Sequence, residues 1–513
     1  MRRAAALAPG FFGLSRPNPG AEMARRAAHP RLRALSAGRS AAHSTRPLAE
    51  VLEAAADSEA LEANAGVVLT PEQRLLQRIS FGPTAADHER MRQIGYTAYL
   101  EEQLAYTHLD DLELESALAE ALPTLSMTPG ELYFADNFDL TYELPIAAIY
   151  RAIYSKRQLF EMMVHFWTDH FNIDLGGDAG YFLKQVDERE VIRKHALGKF
   201  PDLLKASSKS PAMLSYLSND SNYADHPNEN YGREVMELHS MGADQGYTQI
   251  DVREIARCLT GWFMAWEEDE NFGHFKFEPD AHDFGAKRVI GLNIAAGGGV
   301  TDAEKVIDRL GKHPNTAIRI AKKLLVYLWG YEPPQNYINR VATVFKNTGG
   351  DIKAMLRTIL QRSWIEHAPA KLKRPFHFAA SAVRATFGAV DDPGPLFDHL
   401  SDSGHLPYYW SPPNGYPDSR LYWSGFLRNR WNFSLDLSAS DSLGIQLDLD
   451  GVLARNLTPQ ALTTRINALV ANGKLAPVTQ NAVRDFLRAG PRTRQRVDEA
   501  LGLALASPDF QEF

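Results

Sequence analysis

With 513 residues, 44% of them apolar and 23% charged, the chain can bury a large core and has the balance of an ordinary soluble globular protein. The net charge of −8 is unevenly spread: residues 1–50 hold nine Arg, no Lys and two acids, leaving 46 basic and 61 acidic residues beyond them. An acidic body argues against general nucleic-acid binding, no run of about 18 apolar residues offers a transmembrane segment, and a lone Cys258 rules out an internal disulfide or a thiolate metal cluster.

Residues 1–46 are rich in Ala, Arg, Gly, Ser and Pro and are set outside the fold as a disordered or targeting tail. Arg2-Arg3 ahead of Ala4–Leu14 has the order of an export signal, although Pro9 and Gly10 interrupt the apolar run. The Arg-rich, acid-poor composition also fits a transit peptide, and Met23 is an alternative start. A periplasmic or secreted location is favoured over a cytoplasmic one.

The predicted fold is mainly α. A large multi-helix core domain spans 70–435, a small β-hairpin or three-strand insertion lies near 262–292, and a helical segment at 436–513 packs on the core. Thr84 caps a helix with Asp87 three residues on, and Gly95 ends it. Residues 144–171 read as one apolar, aromatic helical region, followed by a loop through Gly176, Gly177 and Gly180. A helix is expected from Lys184 to Leu197, and Pro211 opens a short one. Val252, Ile255, Ala256 and Leu259 have helical spacing up to Gly261. Phe275-Lys276-Phe277 alternates as a strand does. Thr301 and Glu304 form a predicted capping box, helices follow at Asn315–Trp329 and Pro334–Lys346, and Asp351 caps Ile352–Leu360. A further helix occupies about 376–387. Residues 404–423 form a loop dense in Pro, Gly, Tyr and Trp, and three short helices fill 458–513.

The densest polar segment runs from Asn228 to His239. Residues three and four apart share a helix face, so Asn230, Glu234 and Glu237 line one stripe and Tyr231, Val235 and Leu238 an apolar one. His239 falls two positions from Glu237 and points away from it.

Ordered blocks along the chain carry a family resemblance. They include Ser80-Phe81-Gly82-Pro83-Thr84, Phe166-Trp167-Thr168-Asp169-His170-Phe171-Asn172, His195-Ala196-Leu197-Gly198-Lys199-Phe200 and Pro227 through Gly242. Cys258-Leu259-Thr260-Gly261-Trp262, Lys373-Arg374-Pro375-Phe376-His377-Phe378, Gly415-Tyr416-Pro417-Asp418 and Ala506-Ser507-Pro508-Asp509-Phe510 continue the series. Over roughly 70–513 the chain resembles the bacterial proteins of the domain of unknown function 1800. The resemblance implies export, and it implies a partner from the domain of unknown function 1501 family, whose genes neighbour those of this one. Some members have a histidine where this chain has Thr168.

Three chemistries follow from these residue types. A divalent metal is one candidate cofactor, with His170, His195, Glu229 and His239 as ligands, although neither a zincin motif nor paired Glu-x-x-His helices occur. Metal-free acid–base catalysis is another: Glu234 and Glu237 repel each other, burial raises a carboxyl pKa, His170 completes the pair, and Arg233 offsets the charge. Third, the aromatic loop, with Trp410 and Tyr416, and the polar stripe, with Asn228 and Asn230, are candidate binding groups. Cys258 reads as a buried inert thiol, and Gly297-Gly298-Gly299 as a plain loop. The resulting expectation is an exported enzyme with a carboxylate/His site, hydrolytic on an envelope or extracellular polymer. The alternative is a non-catalytic binding or assembly protein for a secreted partner. The functional centre is expected where the 160–171 helix, the 228–242 helix and the 412–418 loop converge.

Overall fold

Reciprocal capping boxes start four helices, with Thr70 and Gln73, Thr84 and Asp87, Thr128 and Glu131, and Thr248 and Asp251 exchanging hydrogen bonds. Proline at the first turn pre-sets Pro211–Tyr216, Pro314–Leu328 and Pro375–Ala385. The computed structural model describes residues 30–44, with side chains through 37, and residues 69–177, 181–243, 245–266 and 269–513. The fold is mainly α, with three two-stranded antiparallel sheets among the described residues. None of the described helices is long and apolar enough to cross a membrane.

The Gln158–His170 helix lies at the centre. Leu159, Phe160, Met162, Met163, Val164, Phe166 and Trp167 are all buried, so its apolar surface is nearly continuous, as a core helix requires. The Trp167 indole N–H donates to the Ala196 carbonyl at 2.9 Å, so the largest ring is also polar-satisfied. One apolar cluster runs from Leu32 to Phe510 and takes in the helices of 459–511. Gly232 permits the close approach of Glu229–Glu237 to Gln249–Leu259: a Cβ there would come within 2.9 Å of Ile255.

Several elements differ from the sequence reading, each for a local reason. Residues 1–46 are not all outside the fold. Pro30–Ser44 is a helix whose Leu32 and Leu35 are buried, and Ser36 Oγ donates to Val390 O at 3.0 Å. An i,i+3 leucine pair was masked by the surrounding Ala and Arg. Residues 1–29, 45 and 46, with Arg2-Arg3, lie outside the described residues, as does Gly180. The 144–171 region is two helices, Asn137–Tyr154 and Gln158–His170, broken where Ser155 and Lys156 bind the Asp111 carboxylate.

The expected 184–197 helix is a short turn, Lys184–Asp187, leading into a π-helix, Glu188–Arg193. The wider turn shifts register, which a 3.6-residue pattern cannot foresee. Strands Trp262–Met264 and Phe275–Phe277 form the hairpin expected in the insertion, and Lys287–Val289 with Leu292–Ile294 a second one, so of the two alternatives the three-strand sheet does not form among the described residues. Ala389–Val390 pairs with Ile445–Gln446, too short a ladder to leave a periodicity. The Thr301 capping box is absent because Thr301 is already inside the helix and Glu304 pairs with Lys209. Four helices, not three, occupy 459–511.

Candidate functional site

At and just beyond the end of the Gln158–His170 helix, four polar residues reach five different segments. Thr168 Oγ1 donates to Glu188 at 3.0 Å. Asp169 accepts from Arg374 at 2.6 Å, at the start of Pro375–Ala385. His170 contacts Lys323 and the His239 carbonyl. Asn172 Nδ2 donates to the carbonyls of Trp410 and Pro412, at 2.6 and 2.9 Å. Gly415 closes the loop over this end with φ +71, and a Cβ there would overlap the Asp169 carbonyl. The 160–171, 228–242 and 412–418 segments therefore meet at one place.

One face of Pro314–Leu328 completes it. Arg319, Lys323 and Tyr327 stand four residues apart on a single stripe, while Ile320, Ala321, Leu324 and Leu328 bury the other face. Lys323 Nζ lies 2.8 Å from His170 Nδ1, and His170 Nε2 lies 3.1 Å from His239 O. A carbonyl only accepts, so Nε2 carries the imidazole proton and Nδ1 accepts from Lys323. Burial, then the charges of Lys323 and others nearby, holds the His170 pKa well below its ordinary value. Burial and the neighbouring Arg319 push Lys323 down to about 7. His239, 1% exposed, is driven to about 3 by burial and by the same two cations, and its Nε2 has no hydrogen-bond partner among the described residues. Arg319 donates to Leu238 O at 3.2 Å, and its buried Nε has no partner among the described residues.

The flanks are paired. Asp169 has its pKa raised by burial, against the pull of Arg374. Lys371 donates to Asp418 at 2.6 Å and to the carbonyls of Val326 and Tyr327, closing the C-terminal end of Pro314–Leu328. Burial lowers Lys371 to about 8, with Asp418 opposing.

The sequence-predicted residues divide sharply. His170 is in the site, with Lys323 and the His239 carbonyl as its partners and neither glutamate among them. Glu237 accepts from Tyr247 at 2.7 Å and lies 3.6 Å from Arg233. Glu234 is half-buried, with no hydrogen bond to its carboxylate among the described residues. Its pKa is raised by burial and by Glu237, and Arg233 opposes the rise. Arg233 also bonds Gln249 and Glu229.

The four proposed metal ligands do not converge. His170 and His239 rings stand 6.4 Å apart, but the one lone pair of His170 is occupied by Lys323. Glu229 is held by Gln249 and Arg233, and the half-buried His195 makes no ring contact with either histidine. Among the described residues no three His, Cys, Asp or Glu side chains group as a metal would need.

Asn228 caps Glu229–Glu237, and its Nδ2 donates to Ser218 O and Ser221 Oγ; Asn230 Nδ2 donates to Leu217 O. Both amides hold the 217–222 turn to the helix. Tyr416 is buried with Trp423 and Leu372, its hydroxyl on Leu406 O, so it offers no platform face; Trp410 packs partly buried against it at 4.9 Å. Cys258 is fully buried and burial raises its thiol to about 12, so it is inert.

Arg319, Lys323 and Asp169 with Arg374 escaped the sequence reading. The signal was present: two like charges at i,i+4 destabilise a solvated helix, so Arg319 and Lys323 facing the same way call for a reason.

Fold and site together define a mainly helical protein with a lysine–imidazole couple at the end of its central helix. The chain belongs to the family of proteins of unknown function designated DUF1800, whose family model matches residues 74–512. No curated protein and no solved structure matches the chain.

Proposed function

We propose that this protein is a hydrolase whose working group is Lys323. The observation that carries it is the Lys323–His170 hydrogen bond, in which a partly solvent-reachable amine has an imidazole partner and no carboxylate. A lysine so placed is substantially unprotonated near neutral pH and can take a proton from an attacking water. His170, fixed between Lys323 and the His239 carbonyl, aims the amine, and the Asp169–Arg374 pair anchors the helix end that carries it. Glu234 and Glu237 leave the catalytic role assigned to them from sequence. An envelope or extracellular polymer as substrate is supported by the family resemblance and the composition of residues 1–46.

The test is hydrolysis of a panel of ester, amide and glycoside substrates across pH. The rate is expected to rise through about pH 7 as Lys323 loses its proton, and Lys323→Met is expected to abolish it while circular dichroism stays unchanged. Full activity in Lys323→Met would sink the proposal.

A second reading, a non-catalytic assembly protein, is favoured by one observation: Asn228, Glu229, Asn230 and Glu237 are all engaged in bonds within the chain. Its test is the substrate panel with Lys323→Met: a hydrolytic activity that this variant loses with its melting temperature unchanged would count against the assembly reading.

A further inference from the structure

We infer that the Lys323 site takes an oxyanion, the carboxylate or phosphate group of its ligand, and that Arg319 is the anchor for it. This deepens, and rests on, the reading of Lys323 as the working group.

Around the site, buried cations have partners. Arg374 lies on Asp169 and Lys371 on Asp418, each at 2.6 Å. Farther off, Lys184 is held by Asp187, Arg193 by Glu161, and Lys287 by Asp302. Three buried cations without a carboxylate lie over aromatic faces instead: Arg78 over Phe513 at 4.6 Å, Lys373 over Phe510 at 3.9 Å and Arg430 over Phe378 at 5.5 Å. Arg319 and Lys323 have neither kind of partner among the described residues. Their bonds go to a backbone carbonyl and to a neutral imidazole.

Two like charges one helical turn apart, both largely removed from water, repel each other and lose hydration. Both charges also act on His239, whose Nε2 is buried with no hydrogen-bond partner among the described residues. An oxyanion would resolve all of this together. It can accept from the open Arg319 guanidinium N–H, from the remaining Lys323 protons and from a His239 N–H, and it supplies the negative charge the stripe lacks. Arg319 and Lys323 are each only partly buried as whole residues, so the stripe is not sealed off from solvent.

Competitive trace acetylation, read by peptide mass spectrometry, tests this on the intact chain. In buffer containing only chloride, the labelling of Lys323 against pH gives its apparent pKa. Adding inorganic phosphate or acetate at matched ionic strength is expected to raise that midpoint by at least one unit, cutting labelling at pH 7.5 about threefold or more. A shift with phosphate alone identifies a phosphoryl ligand; a shift with acetate alone identifies a carboxylate. Arg319→Met is expected to remove the shift, and Arg319→Lys to keep part of it, which separates anion binding from any loss of fold.

A midpoint near 7 that neither anion moves overturns the oxyanion inference and leaves Lys323 as the working group. A chloride-buffer midpoint near 10 overturns the working-group reading, and the inference with it. A shift that survives in Arg319→Met overturns the role of Arg319.

Discussion

Lys323 and His170 share a 2.8 Å hydrogen bond in which a lysine donates to a neutral imidazole where a carboxylate would ordinarily stand. Nothing in the pair neutralises the ammonium, so the bond fixes geometry without fixing charge. That separates it from Lys184 with Asp187, where both groups are fully buried and the lysine pKa is raised. The same helix end thus carries a static ion-pair network on its Glu188 side and a proton-exchanging amine on its His239 side.

The first prediction concerns Lys323 and pH. Its folded pKa, about 7, lies below the ordinary lysine value of about 10.4. Between those values the unfolded chain holds a proton that the folded chain has released, so stability rises with pH across that window and the penalty is complete below about 7. Lys323→Met removes the penalty, while its loss of the bond to His170 acts equally at every pH. Relative to the parent, the variant is expected to gain about 2–4 kcal/mol on going from pH 10 to pH 6. Urea melts at both pH values check this; an unchanged difference would contradict the depressed pKa.

Asp169 and Arg374 are expected to couple strongly. Both side chains are largely buried and 2.6 Å apart, and breaking one such pair strands the other charge. Asp169→Asn or Arg374→Met alone should cost about 3–5 kcal/mol, and the double variant clearly less than the sum of the two. A thermodynamic cycle from guanidinium melts measures the coupling, and additive losses would show that the pair is not the anchor of this helix end.

Much of the fold was legible because its signals are local. Thr84 with Asp87, Asp351 ahead of Ile352, and the Val252–Leu259 spacing each determine a helix within a few residues. The π-turn at Glu188–Arg193 and the pairing of Ala389–Val390 with Ile445–Gln446 depend on distant partners and leave no periodicity. The site divides in the same way. His170 stood out by type, but its partner lies 153 residues on and is an ordinary helix lysine in sequence. The dense 228–239 motif drew attention because capping and turn-holding need many polar groups close together. Those groups are engaged in architecture, as Asn228 and Asn230 show.

Gly415 is a position where a single methyl group should be felt at the site. Its φ of +71 is unfavourable for other residues, and a Cβ would overlap the Asp169 carbonyl, which belongs to a buried helix end. Gly415→Ala is expected to destabilise by about 2–4 kcal/mol and to displace the 411–418 loop, with Asp418 drawn away from Lys371. Thermal melts give the first quantity. The second appears as faster proteolysis within 411–418, and a variant as resistant as the parent would show that the loop is not held by this contact.

Acid sensitivity follows from a set of neutral histidines, His165 partly buried and the others buried. His165, His170, His377 and His405 are held well below the ordinary histidine range, burial being the largest cause in each, and His239 lies at about 3. Unfolding returns each to an ordinary value near 6.5, so below that pH the unfolded chain binds protons that the folded chain refuses. Stability is expected to fall as pH drops from 7 to 5, by about 1–2 kcal/mol for each such histidine. Carboxyls with raised folded values, Asp169 and Glu188, release part of the loss, because their protonation favours the folded state as pH approaches their range. Urea midpoints at pH 7, 6 and 5 should therefore decline steeply. His405→Gln should flatten the slope by about one proton, since the amide can still accept from the Phe376 N–H that now reaches His405 Nδ1 at 3.1 Å. A midpoint unchanged between pH 7 and 5 would mean that these imidazoles protonate in the folded state, and the low pKa of His170 against Lys323 would have to be given up with the rest.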